Sequence, residues 1–159
     1  MAEFNSAENL NMNLAENLST DVMTGGLDER MFLYFRLSGS MKKADGVDII
    51  VSFLMESGVK MILKDLDQAL QRGAKIRILT GNYLGITQPS ALYLIKRKLG
   101  DQVDLRFYND PKRSFHPKAY MFHYATYSEM YIGSSNVSRS ALTSGIEWNY
   151  RFNSKTDPE

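Results

Sequence analysis

The chain has 159 residues, 43% hydrophobic and 23% charged, the composition of one ordinary globular domain with room for a core. It has no cysteine, which excludes a disulfide framework and a thiolate metal site, and with two histidines a structural zinc site is not expected. The net charge of +1 hides a sorting: residues 1–59 carry 4 Lys/Arg against 9 Asp/Glu, residues 60–118 carry 12 against 5, and residues 119–159 carry 3 against 4.

Residues 1–26 are rich in asparagine, with Leu10, Leu14 and Leu18 at helical spacing. They read as an amphipathic helix or arm that ends at Thr24-Gly25-Gly26. Residues 27–159 read as a single domain. Met31, Leu33, Tyr34, Leu37 and Met41 predict a helix from Asp28 to about Ala44. Val47 to Leu54 is a β-branched strand, and a helix from Glu56 to Arg72 is stopped by Gly73. Lys75 to Thr80 is a second strand, ending in the polar loop Gly81-Asn82-Tyr83. Thr87 is the expected N-cap of a helix through Leu99, with Pro89 in its first turn.

Val103 to Tyr108 is a third strand, and Asn109-Asp110-Pro111 is a turn. Lys118 to Tyr124 and Glu129 to Ile132 are two further strands joined by a short loop. A helix at Ser138 to Leu142 and a strand from Ile146 to Phe152 complete the order. Strands alternating with helices predict an α/β sandwich around a mixed, largely parallel sheet. No apolar run is long enough to span a membrane and no leader pattern opens the chain, so the expected location is cytoplasmic.

His116 and Lys118 are the most informative residues. In extended chain they share a face, about 7 Å apart, which sets an imidazole beside a positive charge. Gly133-Ser134-Ser135-Asn136 follows, a turn with hydroxyls, backbone N–H groups and an amide donor. Donors to anionic oxygens beside an imidazole suit attack on a phosphodiester. The basic middle segment, notably Lys112, Arg113 and Lys118, is the part suited to attracting phosphate. His123 has the opposite parity to His116 and is expected on the other face, as a packed or surface histidine. Ser52 and the loop Gly81-Asn82-Tyr83 carry only a positional signal, since α/β sheets bind ligands at strand carboxyl ends.

The pattern His116-x-Lys118 followed by Gly133-Ser134-x-Asn136 and Glu147 resembles the phospholipase D-like (HKD) superfamily. Its nearest branch comprises nucleases and domains attached to helicases and restriction enzymes. The resemblance implies an α/β/α sandwich and places His116, Lys118, Asn136 and Glu147 as catalytic residues. It places Lys118, Ser134, Ser135 and Asn136 on the substrate phosphate, with Glu147 supporting the histidine. One position departs from the pattern: the aspartate five residues after the lysine is His123 here.

Members of the superfamily bring two such motifs together, one histidine attacking phosphorus and the other protonating the leaving oxygen. This sequence carries one motif. The expectation is therefore a metal- and cofactor-independent phosphodiesterase acting on nucleic acid, most readily DNA. It would work as a homodimer or within a larger helicase or restriction protein. The alternative is a non-catalytic nucleic-acid-binding module of the same fold. Lipid hydrolysis ranks third, because no amphipathic membrane surface is evident. A phosphate-binding GKS/T loop, a G-x-S-x-G elbow, an H-E-x-x-H helix and a two-metal carboxylate cluster are all missing from the sequence.

Overall fold

Val47, Ile49 and Val51 are fully buried and alternate with Asp48 and Ile50, which face away from them. The same period-two burial runs through Ile76 and Ile78 and through Tyr120 and Phe122, so one face of a sheet is a continuous core surface. The structure, a computed structural model, describes residues 21–157. The helix or arm expected at the N-terminus therefore lies outside the described residues up to position 20. Of the remainder, Val22–Met23 form a short edge strand, β1.

The other strands are β2 (Gly46–Val51), β3 (Lys75–Gly81), β4 (Val103–Tyr108), β5 (Lys118–His123), β6 (Ser128–Gly133) and β7 (Asn149–Asn153). Their order across the sheet is β1-β7-β6-β5-β2-β3-β4. The sheet is mixed, as expected, but parallel pairing is its minor part. Only β2–β3 and β3–β4 are parallel, while β2–β5, β5–β6, β6–β7 and β1–β7 are antiparallel. The reason is connectivity. The sheet neighbours β2, β3 and β4 are linked in turn by helices long enough for a crossover, Glu56–Gln71 and Pro89–Leu99, whereas β5 and β6 are joined by a tight loop that reverses the chain.

Four α-helices, α1 (Leu33–Met41), α2 (Glu56–Gln71), α3 (Pro89–Leu99) and α4 (Arg139–Leu142), cover the core face. Helix α2 is central and packs against the other three. Leu37, Met41, Val59, Ile62, Leu66 and Ile95 seal the layer. The described residues thus form two layers, helices on sheet, rather than the expected three. Consecutive right-handed crossovers from β2 to β3 to β4 step in one direction and so put α2 and α3 on the same face.

Two local expectations are corrected. The helix expected from Asp28 is interrupted: Asp28 caps a 3-10 turn at Glu29–Met31, then Phe32 is extended (φ −71°, ψ 123°) before α1 begins. Thr87 does not cap α3, whose N-cap is Gln88. Its hydroxyl instead donates to the Gly81 carbonyl and accepts from the Leu54 N–H, pinning the ends of β2 and β3 together.

Candidate active site

Because β5 runs against β2, the start of β5 lies beside the carboxyl ends of β2 and β3. Lys118 is registered on Val51, and Ala119 on Ile132. Residues just before β5 and just after β2, β3 and β6 therefore gather at one end of the sheet, the end at which open α/β sheets bind ligands. Ser52, fully buried, donates its hydroxyl to the Pro117 carbonyl at 3.2 Å and ties the His116–Lys118 segment to the end of β2.

His116 is exposed and Lys118 is buried. The Lys118 Nζ lies 2.9 Å from His116 Nε2 and donates to the His116 carbonyl at 2.9 Å. An ammonium has no lone pair to offer, so it is the donor. Nε2 then presents its lone pair and Nδ1 carries the proton. Burial holds the Lys118 ammonium below its ordinary range, and the negative charge of Glu147 partly offsets that.

Gly133 ends β6, and no other residue fits there. A Cβ at this position would lie 2.0 Å from the Trp148 carbonyl oxygen and 2.7 Å from Asn149 Cα. The close approach locks the turn that presents Ser134. The Ser134 N–H donates to the Trp148 carbonyl, and its hydroxyl accepts from the Trp148 N–H and donates to the Glu147 carboxylate. Ser134 and Glu147 are thus brought together at the surface. Glu147 bonds Ser134 rather than His116, and reaches Lys118 through its charge.

Asn136 is 5% exposed, and its amide oxygen accepts the Phe53 N–H at 3.1 Å. That bond fixes the flip, leaving the amide NH₂ as the group free to donate. Ser135 is different. Its side chain is fully buried, donating to the Ala141 carbonyl at 3.0 Å and accepting from Asn149 at 2.9 Å. Adjacent serines point oppositely, so Ser134 faces the site and the Ser135 hydroxyl faces the fold. Ser138 caps α4 by accepting the Ala141 N–H.

The loop after β3 supplies a residue that carried little signal in the sequence. The Tyr83 ring packs against the His116 ring, centroids 4.4 Å apart. The only clue to it was its place just beyond a strand's carboxyl end. His123 lies on the other face, at the far end of β5. Five residues of strand separate it from Lys118, roughly 16 Å. Its Nε2 is 2.9 Å from Asp48, which Arg77 also grips, and its Nδ1 is 3.2 Å from the Ser128 hydroxyl. The departure from the superfamily pattern at position 123 is therefore a change in a surface ion network, distant from His116. Among the described residues no group of three or more His, Cys, Asp or Glu is placed to hold a metal ion.

The family profile described as "Cardiolipin synthase, PLD-like domain" matches residues 38–157, three quarters of the chain and all of the site. The chain belongs to the phospholipase D-like family. No curated protein matches it. The fold is also similar to solved structures. One is TrmBL2, an archaeal chromatin protein with a novel mode of DNA binding (15% identity, TM-score 0.50, 95% of this chain and 54% of that one). Another is the polyphosphate kinase of Porphyromonas gingivalis (14%, 0.52, 74% and 20%). A third is the yeast tyrosyl-DNA phosphodiesterase (13%, 0.50, 82% and 31%). This phospholipase D-like chain spans about half or less of each of those chains. Likeness at such identity concerns the fold alone.

Proposed function

We propose that this domain cleaves phosphodiesters in nucleic acid, with His116 as the nucleophile. The observation that carries the reading is the His116 Nε2 lone pair held beside the buried Lys118 ammonium at 2.9 Å. Nε2 attacks phosphorus, the P–O bond to the leaving oxygen breaks, and a second imidazole protonates that oxygen. Water then displaces the histidine from phosphorus, giving up its proton to the second imidazole. Lys118 turns from Nε2 to a non-bridging oxygen as substrate enters. The Ser134 hydroxyl and the Asn136 amide donate to the same oxygens, and together they meet the charge that builds in the transition state. In this reading the electrostatics come from the protein's own donors, without metal or cofactor. Glu147 positions Ser134 and sustains the charge on Lys118.

The second imidazole is assigned to His116 of another copy across a twofold axis, or to a second motif within a larger helicase or restriction protein. Nucleic acid is favoured by the basic segment 60–118. It is favoured also by two similar structures, an archaeal chromatin protein that binds DNA and a tyrosyl-DNA phosphodiesterase. The cysteine-free chain suits the cytoplasm. No helix among the described residues is long and apolar enough to cross a membrane.

The test is cleavage of DNA and of bis(p-nitrophenyl) phosphate in EDTA, with wild type and His116→Ala. Cleavage lost in the variant supports the reading. Salt-dependent DNA binding with no cleavage by wild type refutes it in favour of the non-catalytic nucleic-acid-binding module.

A further inference from the structure

A cavity of about 430 Å³ opens between the loop that follows β3 and the loop that precedes β5, and the Tyr83 ring in its lining packs on His116. Its lining includes Tyr83, Leu84, Tyr108 and Phe115, with Lys112 and Arg113 among the polar groups. Such a volume lies within the usual range for small-ligand sites, roughly 300–1,000 Å³. Three features set it apart from an ordinary surface hollow.

The first is aromatic. Tyr108 and Phe115 are stacked with centroids 4.8 Å apart, and Tyr83 is the wall shared with His116. Phe115 in turn seats directly on Gly81, where an added Cβ would come within 2.8 Å of its ring. The aromatic wall is therefore built into the end of β3. The second is backbone strain. Leu84 has φ +51° and a side chain 79% exposed, the one non-glycine residue among those described with positive φ. An apolar side chain held strained and outward at the mouth of a cavity is an expense that packing does not explain. The third is charge. Asp110 is engaged by the Lys112 N–H, the Tyr108 hydroxyl and Arg113, and two cations, Lys112 and Arg113, line the cavity beside this one carboxylate.

We propose that this cavity is a nucleobase-binding subsite that seats one unpaired base next to the phosphate attacked by His116. The inference rests on the phosphodiesterase reading above and deepens it, naming single-stranded nucleic acid as the substrate class. Aromatic rings with interleaved cations accept any base by stacking while the cations track the backbone. A base in a duplex has both faces covered and cannot enter, so a paired strand must first fray or flip. Asn82, Asn109 and Ser114 also line the cavity and offer hydrogen-bonding groups to a base edge.

The test is fluorescence anisotropy with a His116→Asn background that cannot cleave. The probes are a labelled single-stranded oligonucleotide, the same backbone carrying abasic residues, and the corresponding duplex. The expected result is base-containing single strand bound about tenfold or more tightly than either other probe. Tyr83→Ala should abolish that difference and Tyr83→Phe restore it. Equal binding of the base-containing and abasic strands overturns the subsite, as does duplex bound as well as single strand. If no probe binds at all the subsite is likewise overturned. Tungstate added to the wild type separates the two readings, because a shift of the His116 imidazole resonances on its addition supports the phosphate site whatever the oligonucleotides do.

Discussion

Lys118 is buried with its ammonium 2.9 Å from His116 Nε2 and 2.9 Å from the His116 carbonyl, and among the described residues no carboxylate is bonded to it. A charged group desolvated in this way weakens the fold and serves the site, since its energy is recovered only when an anion arrives.

Lys118→Met should therefore separate function from stability. Cleavage should fall by about 10² or more, the cost of removing one donor to a developing anion. The melting temperature should rise by about 2–4 °C, equivalent to about 1 kcal/mol. The lowered Lys118 value also means that the unfolded chain holds more protons than the folded one between that value and about 10.4. Wild-type stability should rise with pH across that window, and urea unfolding of the methionine variant should lack the rise.

The pH–rate profile should report the same group. The proposed mechanism needs Lys118 charged, so the alkaline limb should fall below the ordinary lysine range. Glu147 raises the Lys118 value through its charge. Glu147→Gln should move the limb to lower pH still, in addition to freeing Ser134. A limb that moves upward would contradict this placement of Glu147.

His123→Ala should leave cleavage unchanged, because the residue sits at the far end of β5 on the other face. His123→Asp restores the residue of the superfamily pattern, yet it would set a second carboxylate against Asp48, now 2.9 Å from the histidine. The expectation is no gain in turnover and a lower melting temperature, both readable from one purified variant.

Gly133→Ala should disable the site through the backbone. The new methyl overlaps the Trp148 carbonyl and Asn149 Cα, so β7 or the Ser134 turn must move. Loss of activity with a melting temperature lower by several degrees is expected, whereas Ser135→Ala should lower stability alone.

Glu129 controls acid stability. Burial would push its carboxyl up, but the Ser40 hydroxyl, the Arg151 guanidinium and the Tyr124 phenol together hold it below the ordinary value. That stability is present above about pH 4.3, the unfolded value, and is lost as pH falls through the folded one. Glu129→Gln should cost about 1.5 kcal/mol near neutrality, the loss of a charged hydrogen bond to an Arg151 that keeps Asp21 as partner, and should flatten the acid limb of the unfolding curve.

Much of this was legible beforehand. β-branched runs marked β2 and β3, and Gly73, at φ +87°, marked the stop after α2. The pattern His116-x-Lys118 followed by Gly133-Ser134-x-Asn136 marked the residues that gather at one end of the sheet. Strand direction was not legible, because alternation tells which face a side chain takes and says nothing of which way its neighbour runs. The strand β1 has two residues, too few for a period, and is held by its pairing with β7. In Gly133-Ser134-Ser135-Asn136 the two serines were indistinguishable until Asn149 and Ala141 claimed one of them. Tyr83 was invisible as chemistry, since its role depends on a ring 33 positions away.

The reversal of β5 against β2 separates two kinds of inheritance. The segment ahead of β5 is a loop whose length is not fixed by any strand register, while Lys118 stays locked opposite Val51. Residues 109–114 of that loop can change in length while Phe115 stays seated on Gly81 and His116 on Lys118. On the proposed function, the two loops that line the cavity are the place where substrate preference changes while the phosphate site stays as it is. Moving the cavity as a unit then means transplanting residues 82–84 together with 108–115, the two stretches that line it.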